Sequence, residues 1–420
     1  MKNFKKYDSA LRDETRRWVD ELKDIDILVG IPCWNNEDTI GHVVSTVGQA
    51  LAKKLGDYRG AILVSDGGSL DDTRENAAAV EIPSGVQRRV CIYRGMPGKG
   101  TSFRAVFELA RLLKAHACVV VDSDVRSITP DWIVQLAKPI LDGKADFVTP
   151  IYLRHRFDGT ITKHIVYPFL RALYGKQIRQ PIGGDFGFKG ELTSFYIAED
   201  VWTTDVAQFG IDIWMTTSAI CEGFRLVQAD LGVKVHDPKD PSTDLSPMFC
   251  QVVSTMFYLM GKYESVWKNV RSSTEVPIVG AVENQRRPEA VSVKRSKLLT
   301  ELKEGFDHFR PLYEGVLDRK NFKQLERLVK KATQTDRVDW PAELWAKILY
   351  DFAFTYQTWN RNRRRLVDIM TPLYFGRVAA FTYEVEGLDA DQVEGVLTKQ
   401  AEVFEKTKGY LREKFARWED

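Results

Sequence analysis

The stretch "ACVVVDSDVRS", Ala117–Ser127, decides the fold of the first part of the chain. Its apolar run predicts a buried strand, and Asp122 and Asp124 follow at the strand end on either side of Ser123. Alternate residues of an extended segment point to the same side, so we expect the two carboxylates to lie together. Such a pair suits a hard cation that bridges a diphosphate, although Asp and Ser are also common in solvated turns.

Similar apolar runs, separated by helical patterns, occur on both sides of this stretch. They are "DILVGIP" from Asp26, "AILVSDGG" from Ala61, "VCIYRG" from Val90 and "ADFVTPIYL" from Ala145. This alternation predicts a mostly parallel, Rossmann-like α/β sheet with helices on both faces. Ligands of such sheets bind at the carboxyl ends of the strands, so the residues just after each run are the candidates for a site.

The length and the net charge of the chain limit the number of domains and the kinds of partner. The chain has 420 residues, of which 44% are hydrophobic, and this suggests two or three folded domains. The 60 basic and 58 acidic residues leave a net charge of +2. Nothing in that balance predicts binding to nucleic acid or to an anionic membrane.

The cysteines and the amino-terminal segment indicate a compartment. The five cysteines are scattered and form no C-x-x-C pair, which is typical of reduced, buried thiols. The first residues are charged and amphipathic, without the apolar core of a signal peptide. No apolar run reaches the length of a membrane span. We therefore expect a soluble cytoplasmic protein without a span; a surface-bound protein is the alternative.

The stretch "VSDGGSLDDT" places Asp66 at a second strand end. A carboxylate there can accept hydrogen bonds from a nucleobase or a ribose, and the glycines let a ligand approach the backbone. The alternative is a helix start, where Ser69 caps and Asp71 and Asp72 complement the helix dipole. We assign the second half of the stretch to the cap and Asp66 to binding.

The stretch "RGMPGKGTSF", Arg94–Phe103, looks like a phosphate loop but is not a P-loop. A P-loop needs G-x-x-x-x-G-K-[ST], whereas Tyr93 lies five residues before Gly98 and Gly100 follows the lysine. The first strand is likewise followed by "PCWNNEDTI" and not by G-x-G-x-x-G, which argues against NAD or FAD. The lysine is expected to serve another phosphate; the alternative is a solvated lysine at a helix start.

Taken together, these stretches resemble the GT-A glycosyltransferases, in particular the group that makes glucosyl-3-phosphoglycerate, glucosylglycerate and mannosylglycerate. The resemblance covers roughly Asp26 to Asp240, and the usual N-E-E after the first strand is Asn35-Asn36-Glu37 here. The stretches that carry it are "PCWNNEDTI", "SDGGSLDDT", "PGKG", "DSD", "QPIGGDFGF", "FGIDIW" and "VHD".

The resemblance implies roles for individual residues. Lys99 would contact the diphosphate of the nucleotide sugar, and Asp212 would lie near the transferred sugar and the acceptor hydroxyl; a helix cap is the alternative for Asp212. His236 would be the third metal ligand beside Asp122 and Asp124. The nucleotide sugar is expected to contact Pro32, Cys33, Asn35, Glu37, Asp66, Gly98, Lys99, Asp122 and Ser123.

The acceptor site is expected around "QPIGGDFGF". There Gly183 and Gly184 would offer backbone N–H groups to a carboxylate or a phosphate, unless they serve only a bulge or tight turn. A phosphorylated acceptor needs several basic groups, most of which we expect to be solvated in this chain. The candidates are Arg154, Arg156, Lys163, Arg171, Lys176, Arg179 and Lys239.

The implied function is that of a retaining hexosyltransferase that depends on Mg²⁺ or Mn²⁺. The expected reaction moves glucose from UDP-glucose or GDP-glucose to D-glycerate and gives glucosylglycerate, a compatible solute. Alternatives are transfer to 3-phosphoglycerate, mannosyl transfer from GDP-mannose, and a family-2-like enzyme acting on a glycolipid or polysaccharide. A non-catalytic nucleotide-sugar-binding protein is a further alternative.

The pattern of apolar and charged residues changes near Ser246. Long amphipathic helical patterns replace the strand-like runs, and they cover Val291–Thr333, Pro341–Leu366 and Asp389–Phe415. We therefore predict a GT-A domain over residues 1–245 and an all-α domain over 246–420. Such a helical domain is similar to that of the single-step synthases, which use unphosphorylated glycerate. Its helices are also expected to form a homo-oligomer.

Overall fold

A computed structural model describes residues 8–22, 24–236, 246–280 and 287–419. The strands are β1 Ile27–Cys33, β2 Gly60–Asp66, β3 Gln87–Ile92, β4 Ala117–Val120, β5 Phe147–Leu153, β6 Lys176–Gln177, β7 Phe186–Lys189, β8 Leu226–Val233, β9 Thr274–Glu275 and β10 Ile278–Val279.

Helices connect these strands and make up most of the carboxy-terminal part. The α-helices are α1 Asp13–Glu21, α2 Glu37–Gln49, α3 Thr73–Ala79, α4 Lys99–Leu112, α5 Pro130–Leu141, α6 Tyr167–Tyr174, α7 Gly190–Ala198, α8 Ile211–Cys221, α9 Ser246–Lys262, α10 Glu264–Asn269, α11 Arg295–Val316, α12 Arg319–Thr335, α13 Ala342–Thr358, α14 Arg363–Asp368, α15 Thr371–Glu384 and α16 Ala390–Glu419. A 3₁₀ turn covers Asp205–Ala207, and π-helical turns cover Ala50–Lys54 and Thr162–Val166.

The chain forms two compact units. The first contains residues 1–154, 178–237 and 276–289, and the second contains 155–177, 238–275 and 290–420. The units are therefore interleaved along the chain and do not meet at one position near residue 245. The reason is that the segment around α6 packs with α16. The assignment of separate functions to 1–245 and 246–420 stays a prediction.

The first unit is built on one eight-stranded sheet with the order β10-β8-β5-β7-β4-β1-β2-β3. All neighbours in it pair in parallel except β7, which runs antiparallel to β4 and β5. This architecture confirms the predicted mostly parallel α/β sheet.

The sheet is covered on both faces, which explains its apolar runs. Both β1 and β2 are buried along their whole length. One face forms a core with α2 and α5 through residues such as Val29, Val43 and Leu136. On the other face α4 approaches so closely that a Cβ on Gly30 would lie 2.4 Å from Cγ2 of Val106. A strand buried on both faces has no polar side to alternate with, and this gives the continuous apolar pattern.

The second unit is mainly helical, as predicted, but its helices divide differently. The predicted helix over 291–333 is broken at Leu317 and Asp318, where Asp318 caps α12 through the N–H of Lys320. The predicted loop from Ser273 to Glu289 contains β9, which belongs to the second unit, and β10, which belongs to the first unit and is the edge strand of its sheet. Helix α15 was not predicted, because it is buried nearly all round and so lacks an amphipathic pattern.

No helix among the described residues is both long enough and apolar enough to cross a membrane.

Candidate active site

The loops that follow β1 and β2 lie side by side, because these strands are parallel neighbours with Cys33 opposite Asp66. The N–H of Asn35 donates to Oγ of Ser69 at 2.8 Å, and Oδ1 of Asn35 accepts from the N–H of Leu70 at 2.9 Å. Glu37 accepts from the N–H of Asp72 at 2.9 Å. Asn35 and Glu37 thus join the two loops into one rim, while Pro32 and Cys33 are buried in the strand beneath.

Ser123 is held between the two predicted acids. Its hydroxyl donates to Oδ1 of Asn36 at 2.8 Å, and its carbonyl accepts from Oγ1 of Thr39 at the same distance. Asn36, the residue that departs from the family pattern, therefore fastens the end of β4 to the loop after β1. The predicted contact between Ser123 and the nucleotide stays a prediction.

Asp66 is used by its own turn. Its side chain is fully buried, and its Oδ2 accepts from the N–H groups of Gly68 and Ser69 at 2.8 and 3.0 Å. Its Oδ1 accepts from Oγ of Ser69 at 2.5 Å. In this structure the carboxylate shapes the loop after β2. The binding of a base or ribose by Asp66 stays a prediction.

The glycines around Lys99 allow a close approach of backbone. A Cβ on Gly98 would lie 2.5 Å from the carbonyl oxygen of Ala207, and one on Gly100 would lie 1.9 Å from that of Val206. The N–H of Gly100 also donates to the carbonyl of Gln208 at 3.1 Å. The loop is therefore locked against the 3₁₀ turn that precedes α8. This packing sets Lys99, the first residue of α4, opposite the first turn of α8.

Lys99 bridges two carboxylates that were both predicted to belong to the site. Its Nζ lies 2.8 Å from Oδ1 of Asp122 and 3.3 Å from Oδ2 of Asp212. Burial alone would lower the pKa of Lys99, but the two acids raise it above its usual value, so the ammonium stays charged. The structure brings together the three residues that the sequence assigned to phosphate binding, donor binding and transfer.

Asp212 has one oxygen without a partner. The residue is only 7% exposed, and its buried Oδ1 has no hydrogen-bond partner among the residues that the structure describes. Burial raises the pKa of Asp212, and Lys99 counteracts this only in part. A buried carboxylate oxygen without a donor is costly, so it points to a group that donates to it in the functional state. Asp212 lies in the first turn of α8 but its side chain makes no cap there, which disfavours the capping alternative.

A second lysine lies on the other side of Asp122. Nζ of Lys234 is 2.9 Å from Oδ2 of Asp122 and 2.7 Å from Oδ2 of Asp185. Burial alone would raise the pKa of Asp122, but Lys234 and Lys99 hold it well below its usual range. Burial raises the pKa of Asp185, which also accepts a short hydrogen bond from the hydroxyl of Tyr152. The side-chain charges therefore alternate in sign along the series Asp212, Lys99, Asp122, Lys234 and Asp185.

The predicted acceptor loop is part of this row. Gly184 has a φ of +91°, and a Cβ there would lie 2.0 Å from Oδ2 of Asp122. The carbonyl of Gly183 accepts from Nζ of Lys234 at 2.9 Å. Both glycines thus serve a tight turn against Asp122, and the offer of their N–H groups to an acceptor stays a prediction.

The donor chemistry of the predicted metal ligands fits a divalent cation. Carboxylates and an imidazole suit Mg²⁺ or Mn²⁺, and the half-buried Asp124 makes no hydrogen bond or ion pair with any described residue. Asp122 is shared with two lysines, and within the described ranges no three acidic, histidine or cysteine side chains are already arranged around one point. The assignment of Asp122, Asp124 and His236 as metal ligands therefore stays a prediction. It requires the side chains of Asp124 and His236 to come together around a bound cation.

The basic residues considered for a phosphorylated acceptor are largely committed elsewhere. In the second unit Lys163 is buried and donates to the carbonyls of His155 and Arg156 at 2.9 Å each. Arg171 is buried and pairs with Glu405 at 2.9 Å. We expected most of these basic side chains to be solvated, but Lys163 and Arg171 are buried and have structural partners. Lys239 lies outside the described residues.

The sequence reasoning missed Lys234, Asp185 and Tyr152. Two signals could have found the first two. Lys234 lies two residues before His236 in a strand-like run of the sequence, a spacing that predicts both side chains on the same side. Asp185 directly follows the two glycines of the quoted acceptor loop. Tyr152 gives no local signal, because its role depends on the approach of β5 to β7.

Solved structures of glucosyl-3-phosphoglycerate synthase from Mycobacterium tuberculosis are similar to this chain. The complex with phosphoglyceric acid has 22% identity and a TM-score of 0.45, over 57% of this chain and 80% of that one. The complex with Mg²⁺ and uridine diphosphate has 23% identity and a TM-score of 0.45, over 58% and 83%. The complex with Mn²⁺, uridine diphosphate and glucosyl-3-phosphoglycerate has 24% identity and a TM-score of 0.46, over 56% and 80%.

A search of curated protein sequences found no significant match. The family model described as Glycosyl transferase family 2 matches residues 28–202. This range contains β1 except its first residue, β2 to β7, and all the predicted nucleotide-binding residues. The match confirms the predicted glycosyltransferase domain in the first part of the chain.

Proposed function

We propose that this chain is a retaining, metal-dependent hexosyltransferase that moves glucose from a nucleotide sugar to D-glycerate and gives glucosylglycerate. The observation that carries the proposal is the group of Lys99, Asp122 and Asp212 on a glycosyltransferase domain, with one buried oxygen of Asp212 lacking a partner. Lys99 supplies a cation for the diphosphate, and Asp122 supplies an acid at the strand end. Asp212 supplies an acceptor for hydrogen bonds from the hydroxyl groups of the sugar.

The donor half of the site follows from Lys99. Its ammonium is charged and lies at the carboxyl end of the sheet, so it can neutralise charge that develops on a departing diphosphate. Asp122, Asp124 and His236 would hold the divalent cation, which would supply further neutralisation of the same charge. When Lys99 turns to a phosphate, it releases Oδ2 of Asp212. Asp212 can then use both oxygens for hydroxyl groups of the sugar or acceptor.

The transfer step forms a bond between the acceptor oxygen and the anomeric carbon and breaks the bond from that carbon to the phosphate oxygen. No described residue is placed as a certain nucleophile, so we propose attack from the face of the leaving group, which retains the configuration. The leaving phosphate oxygen takes the proton of the acceptor hydroxyl. The contribution of Asp212 is to orient the hydroxyl close to the anomeric carbon.

Free glycerate is the proposed acceptor. A phosphorylated acceptor needs several available cations, and Lys163 and Arg171 are already committed to carbonyl oxygens and to Glu405. The carboxylate of glycerate needs fewer donors. The backbone N–H groups of the Gly183–Gly184 turn are the proposed partners.

A transfer assay with the purified chain tests the proposal. UDP-glucose, GDP-glucose and GDP-mannose are each combined with D-glycerate and with 3-phosphoglycerate, in Mg²⁺ or Mn²⁺ and in a chelator. Nucleotide release and product mass are followed. Product with free glycerate supports the proposal and identifies the sugar, and the product's anomeric configuration, read by NMR, tests retention.

Other results have distinct meanings. Product only with 3-phosphoglycerate contradicts the acceptor assignment but keeps the reaction type. Donor hydrolysis without transfer keeps the donor site and sends the search to glycolipid or polysaccharide acceptors. Nucleotide binding without turnover would make the chain a binding protein and overturn the proposal.

A further inference from the structure

Lys234 is the most connected buried cation of the first unit and has no part in the function proposed so far. The residue is 5% exposed, and its ammonium has three donor hydrogens. They meet Oδ2 of Asp122 at 2.9 Å, Oδ2 of Asp185 at 2.7 Å and the carbonyl of Gly183 at 2.9 Å. All three N–H groups of the Lys234 ammonium therefore donate to two parts of the fold, the segment after β4 and the turn before β7.

The backbone around Lys234 is fixed from both sides. The N–H of Lys234 donates to the carbonyl of Leu153 at 3.3 Å. The next residue, Val235, donates to Oγ of Ser127 at 2.9 Å and accepts from the N–H of Arg126 at 2.8 Å. The face of Tyr152 lies 4.9 Å from the ammonium, which favours the charged form. The side chain thus extends from a rigid anchor.

This contact controls which atom of Asp122 is available. Lys234 occupies Oδ2, and the Cα of Gly184 packs against the same oxygen so closely that a Cβ would not fit. The N–H of Asp122 donates to Oδ1 of Asp185, which fixes the backbone as well. Oδ1 of Asp122 is the oxygen that is directed to Lys99 and away from the Gly184 turn.

Stability alone is a poor explanation for such an arrangement. A buried ion pair often contributes no more stability than apolar side chains of the same volume would. Here the lysine joins the acid expected to serve the donor to the turn expected to receive the acceptor. A fixed relation between these two parts is what a transfer reaction needs, because small displacements of reacting groups cost large factors in rate.

We infer that Lys234 is a positioning residue of the transfer site: it fixes Asp122 with a single oxygen facing the ligands and ties it to the turn of Gly183–Asp185. The inference rests on the proposed function. It adds a residue that acts through Asp122 and the turn and does not itself touch the substrates.

Three variants test the role of Lys234. Lys234→Met removes the charge, Lys234→Arg keeps it, and Lys234→Met with Asp185→Asn removes the acid–base pair together, so that charge balance is kept. The matched control is Lys189→Met, which breaks the ion pair with the exposed Glu191 in the same unit and is expected to leave activity unchanged. Folding is checked by thermal melting, kcat and KM are measured for both substrates, and the affinities for UDP and GDP in MnCl₂ are measured by calorimetry.

We expect Lys234→Met to lower kcat/KM for the nucleotide sugar about 100-fold and to weaken nucleotide binding about tenfold, because a buried charged partner of Asp122 is lost. Lys234→Arg should recover most of this loss but not all, since a planar guanidinium cannot meet three partners arranged for an ammonium. The double variant should stay about 100-fold impaired although its charges balance, because Asp122 still lacks its clamp.

The outcomes separate the possible failures. A double variant with wild-type kcat/KM would show that Lys234 only balances charge and would overturn the inference, even if Lys234→Met alone does not fold. Single variants that melt at lower temperature but keep kcat and both KM values per folded molecule would also overturn it. A wild-type chain that transfers no sugar from any donor would overturn the proposed function, and this inference with it.

Discussion

Each unit contains a buried network of charged side chains, one around Asp122 and the other around Asp351. Of these two networks, only the first has a buried oxygen without a hydrogen-bond partner among the described residues. In the second unit the buried Asp351 accepts from the N–H of Asp318 at 3.1 Å, from Asn321 at 2.7 Å and from the hydroxyl of Tyr410 at 2.5 Å. Lys414 completes the set through a short contact. Each oxygen of Asp351 thus has two partners.

The network of the first unit differs in two ways. Oδ1 of Asp212 is buried without a partner, and Lys99, Asp122 and Lys234 lie at or beside the strand ends where ligands of parallel sheets bind. Burial of charge therefore does not by itself indicate a site. A buried charge whose hydrogen bonds are incomplete, at the carboxyl ends of the strands of a parallel sheet, is the better indicator.

The largest effect is expected from Lys99→Met. Loss of the ammonium leaves the developing charge on the diphosphate less neutralised, and kcat/KM should fall about 1,000-fold. Steady-state kinetics with the donor found in the transfer assay measure this. Lys414→Met is the matched change in the second unit and should reduce the melting temperature while kcat per folded molecule is kept. Equal losses of activity in both variants would remove the distinction between the two networks.

Asp351→Asn should give the next largest effect, and on stability. The amide cannot provide the charge that Lys414 faces, and one of its atoms becomes a donor where Oδ1 or Oδ2 now accepts two hydrogen bonds. The free energy of unfolding should fall by about 3 kcal/mol. Denaturant titration measures it, and kcat per folded molecule should remain at the wild-type value. A stable Asp351→Asn with reduced kcat would assign this network to function as well.

Sequence reasoning reached the fold because strands buried on both faces leave continuous apolar runs. The strand-end position pointed to Asp122, and the family resemblance pointed to Lys99 and Asp212; the structure brings the three together, and their roles stay predictions. It could not reach the break at Leu317, where the helical pattern continues across a capped boundary. Nor could it reach the pairing of Lys234 with Asp185, which exists only because β7 is inserted antiparallel between β4 and β5. Such long-range contacts have no local pattern.

Asp212→Asn should have a smaller effect than Lys99→Met, at about 100-fold in kcat, because it removes an orienting hydrogen-bond acceptor and leaves the phosphate contact in place. Stability should fall less than in Asp351→Asn, since Oδ1 of Asp212 has no partner to lose among the described residues and Lys99 keeps its shorter ion pair with Asp122. Kinetics and thermal melting of the same preparation test both statements. A loss of less than tenfold in Asp212→Ala would exclude the role of Asp212 in transfer.

The smallest effect concerns Lys408, a buried cation of the second unit that faces carbonyl oxygens. Its Nζ donates to the carbonyls of Val270 at 2.9 Å and Leu173 at 3.2 Å. Burial, with a smaller repulsion from Arg271 and some compensation by Glu405, lowers the pKa of Lys408 to about 8. Between pH 8 and the ordinary lysine pKa, the unfolded chain therefore binds more protons than the folded chain does.

The sign follows from this difference in bound protons. The cost of burying the Lys408 ammonium is fully present below pH 8 and is relieved as the pH rises above it. The free energy of unfolding of the wild type, relative to Lys408→Met, should therefore increase by about 1 kcal/mol from pH 7 to pH 10, after allowance for partial access of solvent. Urea titrations of both proteins at the two pH values measure the change. If the difference between the two proteins does not change with pH, an acidic partner already compensates the buried charge of Lys408, as Asp351 compensates that of Lys414. Lys408 and Lys414 would then both be buried cations whose charge is balanced.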